Sequence, residues 1–229
     1  MLPSHQITDS LADWSKSVSD IPLLFEPDSG WNYSIGTDVC GRLVEVLSGK
    51  SFDVFLQERL FEPLGMSDTG FSVPDSEISR FTANYSPTED EGFELEDDPE
   101  TSTYRQHPTF FSGGAGLVST ASDYYRFGQM LLNSGTLDGN RILSRKTVEL
   151  MTSNHLSGGK SISESAVPGA VAGSDMHGYG FGLGFGVLQD VGTAQIAGSP
   201  GQFYWGGAAS TFFWVDPVEE LVVVFMTQL

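Results

Sequence analysis

Basic side chains are scarce in this sequence: eleven lysines and arginines stand against 30 aspartates and glutamates, a formal net charge of −19. So acidic a surface repels phosphate backbones and argues against a nucleic-acid partner. General solubility and adaptation to high salt both account for it. Cysteine occurs once, at Cys40, which excludes an intrachain disulfide and a cysteine-ligated metal cluster. Its place within an amphipathic pattern predicts a buried, small apolar residue. No run of about 18 apolar residues exists, so no membrane-spanning helix is expected. The opening residues carry no basic segment followed by an apolar one, so no secretory signal is visible and a cytoplasmic location is the expectation. His5, His107, His155 and His177 stand singly, without the i, i+4 pairing of a metal-binding helix. Neither metal nor cofactor is expected.

What is present suffices for a sizeable core: 229 residues, 39% hydrophobic and 12% aromatic, enough for one domain, with room for two lobes. Leu11 and Trp14 at helical spacing predict a short helix ended by Pro22. Val39, Leu43, Val46 and Leu47 predict a second, from Gly36 to a stop at Gly49. Ser51 is placed to cap a third, whose apolar face is Phe52, Phe55, Leu56 and Leu60 and which Pro63 closes. Residues 72–112 show no sustained periodicity, and the acidic run from Glu89 to Asp98 reads as a solvated loop, with a calcium site as the weaker alternative because the spacing is wrong. Gly113 to Gly116 leads to a capping sequence at Thr120–Asp123 and a helix bearing Tyr124, Phe127, Met130, Leu131 and Leu132. No Gly-Lys-Ser/Thr follows these glycines, so close backbone packing is favoured over a phosphate cradle. Another short helix is expected over 145–153.

The last third changes period. Gly180, Gly182, Gly184 and Gly186 alternate with Phe181, Leu183 and Phe185, which predicts a strand with one bare face. Ser210 to Val215 reads as a strand, Asp216-Pro217 as a turn, and Leu221 to Met226 as a strand covered on both faces. Helices first and an antiparallel sheet last make an α+β arrangement.

A serine nucleophile needs a base, and where histidine is not used a lysine one helical turn later can serve. The one Ser-x-x-Lys here, Ser157 to Lys160, lies among glycines with no helical pattern, and a flexible loop is the better reading. No Gly-x-Ser-x-Gly elbow occurs, and the surroundings of Ser112 do not form one.

The chain nonetheless resembles a known family. Tyr33-Ser34-Ile35, the helix to Gly49, Phe61 to Phe71, Gly113 to Asp123, Met130-Leu131-Leu132, Gly178 to Phe185 and Trp205-Gly206-Gly207-Ala208 look, in that order, like the serine β-lactamase-related family, which includes class C β-lactamases and family VIII carboxylesterases. The match runs from about Pro22 onward, and the ordered series carries more weight than any single motif. The resemblance implies a β-lactamase/transpeptidase-like fold, with an antiparallel sheet flanked by helices and a helical lobe inserted. Residues 1–229 would form a partial domain, incomplete at both ends, with the lobe at 36–175 and sheet strands at 176–229.

It also implies a three-part site: a Ser-x-x-Lys helix, the Tyr33 turn, and the strand edge at Trp205. Tyr33 would take the serine proton and return it to the leaving group, a role that needs a nearby cation because free tyrosine titrates near 10. Ser34 and Ile35 would sit beside it, with Ile35 where lactamases carry asparagine. Trp205 stands in place of the third element's lysine, and Trp-Gly-Gly resembles the esterase branch. Gly206 and Gly207 keep the edge open, and the Ala208 N–H would be one oxyanion-hole donor. No nucleophile is identified within these residues, so the resemblance implies the C-terminal portion of a serine hydrolase acting on small carboxylic esters. The alternatives are a catalytically inactive fragment or binding module on the same scaffold, and a class C β-lactamase or D-amino-acid peptidase, which Ile35 and Trp205 fit poorly. The sequence does not fix the oligomeric state.

Overall fold

A computed structural model describes residues 10–168 and 175–229; His5 lies outside them. Ser10 opens α1 (Leu11–Ser19), its hydroxyl accepting the Asp13 N–H, and Leu11 and Trp14 are the buried residues of the helix. α2 (Gly36–Ser48) stops at Gly49, whose φ of 69° is left-handed geometry that glycine adopts without strain. α3 (Phe52–Leu56) runs through a π turn (Gln57–Phe61) into α4 (Glu62–Leu64). Ser51 precedes α3 but its side chain caps nothing. Pro63, the expected end of the helix, lies within its last turn, because the π turn ahead of it has already left α register where the proline N–H is missing.

The apolar stripe of α2 points outward, against expectation. Val39, Leu43, Val46 and Leu47 are 45%, 56%, 60% and 80% exposed, and Cys40 is exposed with them. The helix packs through its small face: a Cβ on Gly41 would lie 3.3 Å from Leu11 Cδ2 and 3.4 Å from the Phe52 ring. Buried Asp38, one turn earlier, shares that side.

Residues 72–112 are more ordered than their lack of periodicity suggests. A 3-10 turn (Asp75–Arg80) precedes a hairpin of β1 (Asn84–Pro87) and β2 (Phe93–Asp97). Acidic residues help hold it, since Glu96 accepts from Asn84 Nδ2 at 3.0 Å and from Ser86 Oγ at 2.5 Å.

α5 (Ala121–Leu132) begins at Thr120, whose hydroxyl accepts the Asp123 N–H. Asp123 is buried and accepts the Asp68 N–H at 2.8 Å and the Thr69 hydroxyl at 2.9 Å, tying the turn after α4 to this helix. Asp123→Ala strands both donors and is expected to lower stability by about 1–3 kcal/mol. A reduced urea midpoint with unchanged slope would show it; an unchanged midpoint would mean that the tie is dispensable.

A short hairpin, β3 (Thr136–Leu137) with β4 (Asn140–Arg141), leads to α6 (Arg145–Met151), capped by Ser144, and to α7 (Ile162–Ser165), opened by a Ser161–Glu164 capping box. A five-stranded antiparallel sheet follows in chain order: β5 (Tyr179–Phe181), β6 (Gly186–Leu188), β7 (Phe203–Gly206), β8 (Phe212–Asp216) and β9 (Leu221–Phe225), with α8 (Val191–Ala194) between β6 and β7. The alternating glycines thus make two strands rather than one. The Gly182 N–H donates to the Phe185 carbonyl, and Gly184 turns the chain at φ 98°.

α5 lies on β8 and β9, and Gly128 allows close approach, since a Cβ there would sit 2.7 Å from Val222 Cγ1. Met130, Leu131, Val187, Phe203, Phe213 and Val215 form the core beneath it, joined by Phe61 and Leu64. β9 is not covered on both faces as its apolar run predicts. It is the last strand of the sheet, and Leu221 and Phe225 at its ends are exposed.

Burial makes four phenols harder to ionise, those of Tyr104, Tyr124, Tyr179 and Tyr204. Burial pushes Tyr124 up to about 12, and burial first, then the neighbouring Tyr179, raises Tyr204. An unfolded tyrosine titrates near 10, so this stabilisation is complete below about pH 10 and is lost as pH rises through the native values. The urea midpoint should fall above about pH 10, and Tyr204→Phe should blunt that fall. A fall of equal depth in the variant would contradict the assignment.

Candidate active site

Tyr33 is fixed from both sides by backbone. Two residues before it, the Trp31 N–H donates to the Ser165 carbonyl at 2.7 Å and the Trp31 carbonyl accepts the Val167 N–H at 3.1 Å, a parallel bridge centred on Ala166. Gly30 permits this approach, since a Cβ there would meet Val167 Cγ1 at 2.8 Å. Two residues after Tyr33, Ile35 leads into α2. The first turn of α2 is itself clamped: Asp38 Oδ1 accepts the Ser112 hydroxyl at 2.5 Å and the Gly114 N–H at 3.2 Å. The expected close packing at Gly113 is severe, for a Cβ there would lie 2.1 Å from the Thr37 carbonyl oxygen.

Across from this turn stands Trp205 on β7, its ring centroid 5.5 Å from that of Tyr33. Two of the expected site residues, distant in sequence, are thus neighbours in the fold. Two further rings complete the group. Phe181 meets Trp205 edge-on at 5.4 Å and Trp31 edge-on at 5.3 Å, while Trp31 lies 6.5 Å from Tyr33. Trp31 is buried and Tyr33 is exposed. Sequence reasoning passed over Trp31 and Phe181 as site residues. Their signals were present: an aromatic two residues before the tyrosine, and one flanked by glycines that let backbone crowd in. A Cβ on Gly182 would lie 2.1 Å from the Met151 carbonyl oxygen.

Beyond Trp205, Gly206, Gly207 and Ala208 are exposed. The Gly207 N–H donates to the Thr211 carbonyl at 2.8 Å, and a Cβ at Gly207 would lie 2.3 Å from Thr211 Oγ1. The Ala208 N–H has no protein acceptor among the described residues. Ser34 is exposed and Ile35 half-buried.

A family model described as Beta-lactamase matches residues 3–229. The chain belongs to the beta-lactamase family. An uncharacterized protein of Mycobacterium tuberculosis is 33% identical over 94% of this chain and 53% of its own length. Esterase EstB of Burkholderia gladioli is 26% identical over 93% of this chain and 53% of its own length. Among solved structures, EstCE1, a hydrolase with promiscuous acyltransferase activity, superposes with a TM-score of 0.81 at 26% identity, covering 96% of this chain and 57% of that one. The chain thus spans about half the length of the curated relatives it matches. Its fold is the β-lactamase/transpeptidase-like one.

Among the described residues, the bonds of the other candidate groups go to partners other than Tyr33. Ser157 sits on a 3-10 turn with Gly158 and Gly159 at positive φ, and its hydroxyl donates to Asp28. His155 Nε2 lies 2.7 Å from the Leu150 carbonyl oxygen, and His107 Nε2 lies 3.4 Å from Asp53 Oδ2, a carboxylate neighbour that its sequence surroundings do not show. Among the described residues, no three His, Cys, Asp or Glu side chains gather as a metal site would need, and no helix is long and apolar enough to cross a membrane.

Proposed function

We propose that this chain carries the Tyr33–Trp205 side of a serine hydrolase that cleaves small carboxylic esters through an acyl-serine intermediate. The reading is carried by the pairing of Tyr33 with Trp205 at 5.5 Å, an indole where lactam-cleaving relatives of the resemblance place a cation. The phenolate oxygen of Tyr33, beside the lysine of a Ser-x-x-Lys segment, takes the proton of the attacking serine as the serine oxygen bonds to the ester carbonyl, then returns it to the departing alcohol; water afterwards cleaves the acyl-serine. The free Ala208 N–H supplies one donor to the carbonyl oxygen as it gains charge, a contribution worth about 3 kcal/mol in comparable sites. Ile35 offers no amide to a lactam side chain. The helical lobe at 36–175 and the strands at 176–229 flank the site in this reading, and a Ser-x-x-Lys segment outside the 229 residues supplies the nucleophile.

The test compares 4-nitrophenyl acetate with a chromogenic cephalosporin, using the chain extended upstream to its Ser-x-x-Lys segment. We expect the ester to be turned over at a kcat/KM about 100-fold or more above the lactam, the scale by which a missing polar partner discriminates. Faster lactam cleavage would instead favour the β-lactamase reading. A second reading, an inactive chain or binding module on the same scaffold, is favoured by the position of Ser157 on a glycine turn facing Asp28. It requires that the extended chain leave both substrates intact.

A further inference from the structure

The aromatic group around Trp205 is a closed circuit. Trp31 contacts Tyr33, Tyr33 contacts Trp205, Trp205 contacts Phe181, and Phe181 returns to Trp31, with ring centroids between 5.3 and 6.5 Å. Each contact with Phe181 is edge-to-face, 74° to Trp205 and 62° to Trp31. That geometry sets the positive ring edge of one residue against the negative face of another and fixes orientation as well as position.

The backbone beneath the circuit is tied down too. The Phe181 carbonyl accepts the His155 N–H at 2.8 Å, the Phe181 N–H donates to Asn154 Oδ1 at 3.1 Å, and the bridge at Ala166 holds Trp31. Trp205 also lies 6.2 Å from Tyr204, so with Phe181 anchored directly beside it, and Trp31 behind Phe181 and Tyr33, the indole cannot swing without breaking three ring contacts. Among the described residues, the ring neighbours of this group are aromatic and uncharged, and the protein as a whole is strongly acidic. A carboxylate on a ligand would meet an unfavourable field at this uncharged ring surface.

We propose that Phe181 and Trp31 are positioning residues that hold the Trp205 indole as a fixed, uncharged shelf beside Tyr33, and that this shelf selects ligands bearing a flat, neutral aromatic group. The inference rests on the proposed ester site but concerns binding, so it is tested without turnover. The probe is acetanilide, an amide that mimics phenyl acetate and is not consumed. N-cyclohexylacetamide removes its aromaticity and 4-acetamidobenzoate adds a charge. Titrations of the 229-residue chain follow the indole N–H resonances, with Trp205 assigned through Trp205→Phe.

Acetanilide should shift the Trp205 resonance and bind about fivefold or more tightly than N-cyclohexylacetamide, the scale of one aromatic pair. The carboxylate should bind about tenfold more weakly than acetanilide. Phe181→Leu should erase the preference for acetanilide over the cyclohexyl amide while leaving affinity for the latter within about twofold. If Phe181→Leu does not fold, Phe181→Met, which fills similar volume without a ring face, is held to the same criterion. An unshifted Trp205 resonance, equal binding of the two neutral amides, or a loss in the variant that is equal for both would overturn the proposal. Aromatic binding in a protein that turns over no ester would leave this inference standing while removing the catalytic reading.

Discussion

Tyr33→Phe is expected to reduce ester turnover about 10²- to 10⁴-fold, the usual contribution of a positioned proton-transfer group. The loss should fall on kcat, because the phenylalanine ring keeps the contact with Trp205 at 5.5 Å and so keeps any binding contributed by that surface. Stability should hardly change. Tyr33 is 38% exposed and its hydroxyl has no hydrogen-bond partner among the described residues, so removing the oxygen strands nothing. The measurement is kcat and KM for 4-nitrophenyl acetate in the upstream-extended chain, together with the melting temperature. Unchanged kcat would remove Tyr33 from the mechanism, and a lower melting temperature would mean that it acts through structure.

The second large effect should come from Gly113→Ala, although residue 113 touches no substrate in this account. The added Cβ would lie 2.1 Å from the Thr37 carbonyl oxygen and 2.8 Å from its carbon, and both are backbone atoms that cannot rotate away. Either the 112–115 loop or the first turn of α2 must move, at a cost of about 1–3 kcal/mol or more. Asp38 binds that loop through Ser112 and Gly114, so the movement is carried into the helix that follows Tyr33. A displacement on the order of 1 Å at a catalytic group can lower turnover by about 100-fold. Gly36→Ala is the control, because nothing lies within 4 Å of its Cβ position and alanine favours a helix. We expect Gly36→Ala to melt at or above the parent temperature and Gly113→Ala well below it. Equal melting temperatures would contradict the clamp.

How much of this was legible in the sequence depended on what each signal reports. Helix positions were readable because spacing and stop residues are local: Gly49 and the Thr120–Asp123 cap lie where the pattern places them. Burial was less readable. The α2 stripe and the run in β9 have the composition of covered faces, yet close approach at Gly41 and Gly128 decides which sides pack, and a glycine leaves no mark on an apolar pattern. The β1–β2 hairpin was missed because its alternation, Phe93 and Leu95 against Glu94 and Glu96, lies inside an acidic run, and polar pairs such as Glu96 with Asn84 and Ser86 hold it. The meeting of Tyr33 with Trp205 could not come from periodicity at all. It came from motif order, which says nothing about the supporting rings of Trp31 and Phe181.

In the function proposed above, Tyr33 and Trp205 serve a serine supplied from outside these 229 residues. Labelling with a fluorophosphonate, read by intact mass and peptide mapping, tests it most directly. The 229-residue chain should stay unlabelled, and the upstream-extended chain should gain one phosphonyl group on the serine of its Ser-x-x-Lys segment, more slowly in Tyr33→Phe. Stoichiometric labelling of a serine within the 229-residue chain would contradict it.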